Sequence, residues 1–316
     1  MKTIQLRTTG SLISKKNPFK GRLSEIFTIT HTVLYIMELL LFPFIFLTLV
    51  ASALGASNKN EWQIVWSDEF TGTGHPDPER WGYESGFVRN AEKQFYTTKR
   101  LKNARLENGH LIIEGHREFF AASHLSDTPS KKLPKIEYTS ASLQTKGLAS
   151  WKFGKIEVRA KLPKGQGVWP AIWTLGNNIP QVGWPSCGEI DILEFVGKAP
   201  GEIHGNAHFR QNRKHASDHK IRKTKNIWED FHTYSIEWDA KFIHFSFDGK
   251  RYHSFRVAKA ETSGGNPFHK PHYLILNLAL GGTWGRKIDN SIFPSAISST
   301  TFESTRKGST IVSYRS

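Results

Sequence analysis

Three carboxylates, those of Glu189, Asp191 and Glu194, fall within one six-residue stretch whose other members are apolar and suit a β-strand. Because side chains alternate along a strand, Glu189 and Asp191 share a face and Glu194 would point the other way. One extra residue, a β-bulge at about Ile192 or Leu193, returns Glu194 to that face. Three acids on one face repel one another, so at least one pKa is expected to be raised. A protonated acid beside an ionised one is what glycoside hydrolysis requires, and a solvated strand face is the alternative.

Aromatic residues precede the acids. Trp169 and Trp173 lie in one apolar stretch, and Trp184 follows shortly before the acid motif. The apolar faces of pyranose rings stack on tryptophan, so tryptophans near paired carboxylates indicate a sugar-binding cleft. Ordinary core packing is the alternative, and it is the more common fate of any single tryptophan.

We predict that these residues are held by β-strands. The chain has 316 residues with 21 Phe, 10 Trp and 8 Tyr, and helical periodicity is weak after the N-terminus. From Asn58 onward about 260 residues remain, enough for one large β-sandwich with a sizeable core.

Several segments support this interpretation directly. Residues 155–162 and 233–238 alternate between apolar and polar, and residues 273–280 form a more continuous apolar strand. Residues 242–253 read as two strands joined by an Asp-Gly turn, which is typical of a hairpin. Many strands with Gly and Pro at the turns predict an all-β sandwich or jelly roll, and residues 121–135 are expected to be an exposed loop.

The formal net charge is +15, and seven Lys or Arg residues fall between positions 210 and 225. We interpret this basic stretch first as a solvated loop and second as a rim of the cleft. Such a charge favours anionic partners, acidic polysaccharide or nucleic acid. No recognised nucleic-acid motif accompanies it, so no nucleic-acid partner is predicted. Cys187 is the single cysteine, which excludes an intrachain disulfide and a cysteine-based metal cluster, and we interpret it as structural.

Residues 1–32 form a basic N-terminal segment with six Lys or Arg and one acid, and residues 33–56 are strongly apolar. The apolar run is long enough to span a bilayer, and small residues near its end suit signal peptidase. We therefore expect an apolar helix that serves as a signal peptide or a membrane anchor. The protein is expected to be secreted or periplasmic, or held at the membrane by residues 33–56 alone, with the basic end in the cytoplasm.

Six segments in order carry a family resemblance. They are Trp-Ser-Asp-Glu-Phe at 66–70, Trp-Gly-Tyr-Glu at 81–84, Asn-Ala-Arg-Leu-Glu-Asn-Gly at 103–109, Trp-Pro-Ala-Ile-Trp at 169–173, the acid motif at 188–197, and Leu-Ala-Leu-Gly-Gly-Thr-Trp-Gly at 278–285. Together they resemble glycoside hydrolase family 16, in the bacterial β-glucanase (laminarinase-like) branch. The resemblance implies a concanavalin-like jelly roll of two curved antiparallel sheets over residues 57–296, with the acids on the concave face.

The resemblance also implies residue roles. Glu189 would be the nucleophile, Glu194 the general acid/base, and Asp191 the residue that orients the nucleophile. The activity implied is endo-hydrolysis of a β-glucan with retention of anomeric configuration. The expected substrate-binding residues are Trp169, Trp173, Trp184, Asn90, Arg105, His208 and Trp284, with a structural role as the alternative for His208.

The C-terminus departs from the family pattern. Residues 297–316 form a polar tail without evident strand alternation, in place of the usual last strand. We expect residues 296–316 to be poorly ordered and the domain to lose stability, because a missing strand leaves an unpaired edge. An Asp of that last strand, which many family members use to bind a structural Ca²⁺, is absent. Calcium is therefore left open and no metal or cofactor is predicted.

Other functions on the same scaffold stay open. A non-catalytic β-glucan-binding protein would lack one or more of the acids, and a cell-wall transglycosylase would share them. Among hydrolases, β-1,3-glucan, mixed β-1,3-1,4-glucan and algal galactans are all candidate substrates. The bulged acid spacing and the Gly-Trp-Pro sequence at 183–185 favour β-1,3-glucan as the substrate. We expect the protein to act as a monomer.

Overall fold

The structure is a computed structural model that describes residues 62–121 and 135–307. Within these ranges the regular structure is almost entirely β-strand, so the predicted all-β class is confirmed. No helix there is long and apolar enough to cross a bilayer. The predicted apolar helix at 33–56 and most of the predicted loop at 121–135 lie outside the described residues.

Seventeen strands and a few short helical turns make up the described chain. The strands are β1 (Trp62–Asp68), β2 (Gly82–Tyr83), β3 (Phe95–Tyr96), β4 (Ala104–Glu107), β5 (His110–Phe120), β6 (Ile136–Ser140), β7 (Ser142–Gln144), β8 (Gly154–Lys161), β9 (Val168–Gly176), β10 (Glu189–Glu194), β11 (Glu202–Gln211), β12 (Lys214–Lys223), β13 (His232–Trp238), β14 (Phe242–Phe247), β15 (Lys250–Arg256), β16 (His272–Leu280) and β17 (Ser295–Lys307). The helices are α1 (Ile179–Val182) and α2 (Gly282–Gly285), with 3₁₀ turns at Val257–Ala260, Pro267–His269 and Asn290–Ile292.

These strands form two sheets. The larger has ten strands in the order β15-β14-β13-β8-β17-β5-β6-β3, with β1 beside β17 and β4 beside β5. The smaller has seven, in the order β12-β11-β10-β9-β16-β7-β2. The pairing is antiparallel except between β3 and β6, which run parallel. The predicted sandwich of two sheets is therefore present.

The hydrophobic core lies between the sheets because each contributes one apolar face. On the seven-stranded sheet Ile172, Ile190 and Leu276 are buried, and on the ten-stranded sheet Val158 and Ile236 belong to the same core cluster. The alternate residues of β9 and β16 form a separate apolar cluster on the other face of the seven-stranded sheet. That second face carries the acid motif.

Two hairpins test the sequence interpretation. The predicted Asp-Gly hairpin is confirmed as β14–β15, with Asp248 at φ 47° and Gly249 at φ 71°, as a type I′ turn requires. The interpretation of the basic stretch as a loop is wrong, because most of it forms the β11–β12 hairpin, paired from Glu202 opposite Lys223 to Gln211 opposite Lys214. Strand β12 has mostly exposed polar residues on both faces, so backbone pairing to β11 holds it without an apolar pattern.

The prediction of a poorly ordered tail is wrong for the residues that the structure describes. Strand β17 lies inside the ten-stranded sheet, between β5 and β8, and its far end also pairs with β1. The sequence concealed this strand for two reasons. Buried positions such as Ser299 and Ser304 carry small hydroxyl side chains in place of apolar ones. A bulge between Ser299 and Thr301 also shifts the alternation of inward and outward side chains, so that Phe302 is buried although it lies three residues after buried Ser299.

Candidate active site

Strand β10 presents the three acids on one face. Asp191 lies opposite Trp173 of β9, whereas Leu193 lies opposite the very next residue, Ile172, so β10 carries one extra residue at Ile192. The same shift occurs against β11 between Asp191 and Glu194. Both Ile192 and Leu193 enter the core, which returns Glu194 to the face of the other acids. The predicted bulge is therefore present where the sequence placed it.

Indole groups hold the outer two acids. The Trp184 Nε1–H donates to Glu189 Oε2 at 2.9 Å, and the Trp169 Nε1–H donates to Glu194 Oε1 at 3.0 Å. Asp191 lies between them on the strand and is almost fully buried. Each outer carboxyl therefore has one fixed oxygen and one oxygen available to a ligand.

Burial raises the pKa of all three carboxyls. For Glu194 the charges of Asp191 and Glu189 raise the pKa further, and only weaker effects, led by the Trp169 hydrogen bond, oppose them. For Glu189 the charge of Asp191 also raises the pKa, while a protonated His208 and the Trp184 hydrogen bond lower it. Because two neighbouring carboxylates add to burial at Glu194, whereas His208 and Trp184 offset these effects at Glu189, Glu194 is better placed than Glu189 to keep a proton.

A histidine completes the acid row. His208 Nε2 lies 3.1 Å from Asp191 Oδ2 and 3.7 Å from Glu189 Oε1. Its ring is fixed from two sides, because Asn206 Nδ2 lies 2.8 Å from Nε2 and His215 Nε2 lies 2.8 Å from Nδ1. A protonated His208 at this position would stabilise negative charge on Asp191 and Glu189.

The same three residues are the set, among the described residues, that could hold a metal ion. One donor atom each from Glu189, Asp191 and His208 lies within 4.8 Å of the others. Two carboxylates and an imidazole suit a divalent transition metal. They are also the groups that acid–base and nucleophilic chemistry would use, and that chemistry needs no metal.

A cavity of about 500 Å³ lies over the acids. Next to the acids, on β9, the Trp173 Nε1–H donates to Asn277 Oδ1 at 2.7 Å, and the Arg89 guanidinium lies 4.9 Å from the Trp173 ring centre. Arg89 itself is paired with Glu84. The cavity therefore combines flat apolar surfaces with fixed hydrogen-bonding groups, as a sugar site requires.

Most of the predicted binding residues meet here. The side chains of Trp169, Trp173, Trp184 and Asn90 line the cavity. Trp284 of α2 packs edge-on against Trp169 with ring centres 5.3 Å apart, which places it at the Glu194 end. His208 contacts the acids directly, as described above.

The structure places Arg105 away from this cavity. It lies on β4 of the ten-stranded sheet, where it forms ion pairs with Glu107 at 2.5 Å and with Glu114 at 2.6 Å. It is not among the residues that line the cavity. The motif at 103–109 therefore forms part of the ten-stranded sheet and not of the sheet that carries the acids.

Several site residues were missed by sequence reasoning. His204 and Asn206 belong to the cleft face of β11, and the alternation His-Gly-Asn-Ala-His next to the acid strand was a detectable signal. Asn277 was the single polar residue in the apolar run of β16. Glu92 comes from an irregular segment, where it receives hydrogen bonds from Gln94 and Tyr96, and no local pattern marked it.

A tryptophan-lined cleft with a proton-retaining carboxyl beside a second carboxylate is the arrangement of a glycoside hydrolase. Comparison with known proteins agrees, since the profile of Glycosyl hydrolases family 16 matches residues 91–292. The β-glucanase of Rhodothermus marinus is 38% identical over 266 residues, which are 78% of this chain and 87% of that protein. The chain therefore belongs to glycoside hydrolase family 16 and is a glycosidase.

Solved structures agree with this assignment. The X-ray structure of the laminarinase from Rhodothermus marinus has a TM-score of 0.69 and 37% identity, covering 78% of this chain and 98% of that chain. A structure described with endo-acting O-glycanases that human gut microbiota use to initiate mucin breakdown has a TM-score of 0.72 and 38% identity, covering 78% and 91%. The likeness therefore supports the jelly-roll fold over most of the chain.

Proposed function

We propose that this protein is an endo-acting, retaining glycoside hydrolase that cleaves β-1,3-glucan by double displacement. The observation that carries the proposal is the bulge in β10, which places Glu189 and Glu194 on one face with Asp191 between them. Two carboxyls on one face of a sugar cleft, one protonated and one ionised, are the requirement of this mechanism.

In the first step Glu194 gives its proton to the leaving glycosidic oxygen while a Glu189 oxygen attacks the anomeric carbon. The carbon–oxygen bond to the leaving sugar breaks and a glycosyl ester forms on Glu189. The Trp184 hydrogen bond, and His208 when it is protonated, favour the ionised form of Glu189 that this attack needs. Asp191, on the same strand face beside Glu189, orients the nucleophile and tunes its charge.

In the second step Glu194, now a carboxylate, removes a proton from water. That water attacks the same anomeric carbon and releases Glu189, which restores the starting configuration. The water must approach from the side of Glu194, where Trp169 fixes the other carboxyl oxygen. The two steps consume one water and use no cofactor.

Endo action is supported by aromatic groups at both ends of the acid row. Trp184 contacts Glu189 at one end, and Trp169 with Trp284 stands at the Glu194 end. Sugar units can therefore stack on both sides of the scissile bond. The β-glucanase and laminarinase relatives support a β-1,3-glucan as the polymer.

The test is hydrolysis of a glycan panel with product sizing. Linear β-1,3-glucan, mixed β-1,3-1,4-glucan, agarose and mucin O-glycans are incubated with the full chain and with Glu189→Gln. We expect short oligomers from β-1,3-glucan early in the reaction, and a loss of rate in the variant of roughly a thousandfold or more. A glycan bound without cleavage by the wild-type protein would favour the β-glucan-binding alternative, and chain lengthening would favour a transglycosylase.

We also propose that the protein acts outside the cytoplasm as a monomer, with residues 33–56 as its export signal or anchor. The apolar composition of that segment and the basic residues before it support this proposal. Fractionation of expressing cells and N-terminal sequencing distinguish the outcomes. Cytoplasmic recovery of an intact chain would contradict export.

A further inference from the structure

The basic hairpin places two arginines in a second cavity beside the catalytic cleft. This cavity of about 380 Å³ is lined by Ser186, Arg210, Asn212, Arg213, Glu261, Thr262, Ser263 and Pro267. Arg210 belongs to β11, on the same face as His208, and Arg213 lies in the two-residue turn to β12. We propose that this cavity binds a sulfate or carboxylate group carried by the glucan in the cleft. The inference rests on the proposed function, because it names a substituent of the same substrate.

A chain of contacts joins this cavity to the acids. Trp184 donates to Glu189, and the rings of Trp184 and His215 have centres 4.7 Å apart. His215 lies directly opposite Arg210 across the hairpin. Arg210 also donates to Ser186 Oγ at 3.2 Å, in the loop that connects Trp184 to β10.

The distance suits a neighbouring sugar unit. Arg210 is two residues beyond His208 on β11, which corresponds to roughly 7 Å along the strand. His208 lies within 3.7 Å of Glu189. A substituent on a sugar bound at the Trp184 end therefore lies within reach of the Arg210 side chain.

The charges in the cavity are available for a ligand. Within the described residues, neither Arg210 nor Arg213 has a carboxylate within ion-pair distance, so no acid in that part of the chain neutralises them. The acid of the cavity, Glu261, accepts a hydrogen bond from Asn266 at 3.2 Å. Two guanidinium groups against one carboxylate leave a positive cavity with a planar donor array that matches an oxyanion.

The hairpin around the cavity also carries a net positive charge. Seven Lys or Arg residues lie between positions 210 and 225. The acid of that stretch, Asp218, is neutralised by Lys259 at 2.6 Å. An anionic polymer would therefore be attracted to this end of the cleft, and added salt would weaken the attraction.

The experiment compares neutral β-1,3-glucan with lightly sulfated and lightly carboxymethylated forms of the same polymer. The measured quantity is the ratio of kcat/KM on each anionic form to kcat/KM on the neutral form, for the full chain and for the double variant Arg210→Gln/Arg213→Gln. The control is Lys220→Gln/Lys223→Gln, which removes the same charge from exposed positions of the same hairpin.

We expect the wild-type ratio to exceed one and to fall as salt is added. In the arginine variant it should fall by roughly tenfold, which corresponds to about 1.4 kcal/mol. The lysine control should change it much less. The sulfated and carboxymethylated arms show which oxyanion the cavity prefers.

An unchanged ratio in the arginine variant, or an equal fall in the lysine control, would overturn the inference and leave the proposed function intact. If the wild-type protein cleaves no β-glucan, the proposed function fails. Affinity electrophoresis of Glu189→Gln through gels that contain the same polymers then compares binding without turnover. Retardation by the anionic polymers that does not depend on Arg210 and Arg213 would again overturn the inference.

Discussion

Removal of the Phe302 ring tests whether the C-terminal segment is part of the sheet. Phe302 of β17 is fully buried. Its ring centre lies 5.0 Å from that of Trp66, 5.8 Å from that of Trp151 and 6.4 Å from that of Trp81. One side chain of the last strand therefore closes an aromatic cluster built from three distant parts of the chain.

The cost of Phe302→Ala follows from these contacts. A fully buried Phe→Ala substitution costs roughly 3–5 kcal/mol, because apolar contact is lost and a cavity stays behind. The aromatic pairs add about 0.5–1.5 kcal/mol each beyond area burial, which places the expected loss at the upper end of that range. Because whole domains are stable by only about 5–15 kcal/mol, such a loss is readily measured.

Urea unfolding followed by tryptophan fluorescence measures this loss, since the affected cluster contains three tryptophans. The matched control is Ser298→Ala, a half-buried position of the same strand, for which a change within about 0.5 kcal/mol is expected. If the two variants unfold at the same urea concentration as the wild type, β17 is not packed in the sheet. The expectation of a disordered tail would then be correct.

Two substitutions beside the acids are expected to move the pH profile in defined ways. A protonated His208 lowers the pKa of Glu189, so in His208→Gln this pKa is expected to rise and the acidic limb of kcat/KM to shift to higher pH. In Trp169→Phe the hydrogen bond that lowers the pKa of Glu194 is lost, so Glu194 keeps its proton to higher pH and the alkaline limb shifts upward. Shifts in the opposite direction, or unchanged limbs with intact activity, would contradict these roles.

The sequence was sufficient to predict the acid strand and its bulge. Glu189, Asp191 and Glu194 can share a strand face only if one residue is inserted between them, and both apolar residues there could enter the core. The tryptophans were predicted from their closeness to the acids along the chain, and Trp169 and Trp173, four residues apart on β9, do share one strand face. These predictions depended on local sequence alone.

Other features depended on contacts that no local pattern records. Strand β17 was missed because buried serines replaced the expected apolar residues and a bulge shifted the alternation of inward and outward side chains. Strand β12 was missed because an edge strand can be polar on both faces when its partner supplies the hydrogen bonds. Arg105 was misplaced because the sequence does not show to which sheet β4 belongs.

Double displacement at Glu189 retains the anomeric configuration of the cleaved sugar. Proton NMR of β-1,3-glucan during hydrolysis by the full chain follows the anomeric signal of newly formed reducing ends before mutarotation. With retention, the β-anomer appears first and the α-anomer only later. Initial release of the α-anomer would mean inversion, and would contradict the assignment of Glu189 as nucleophile.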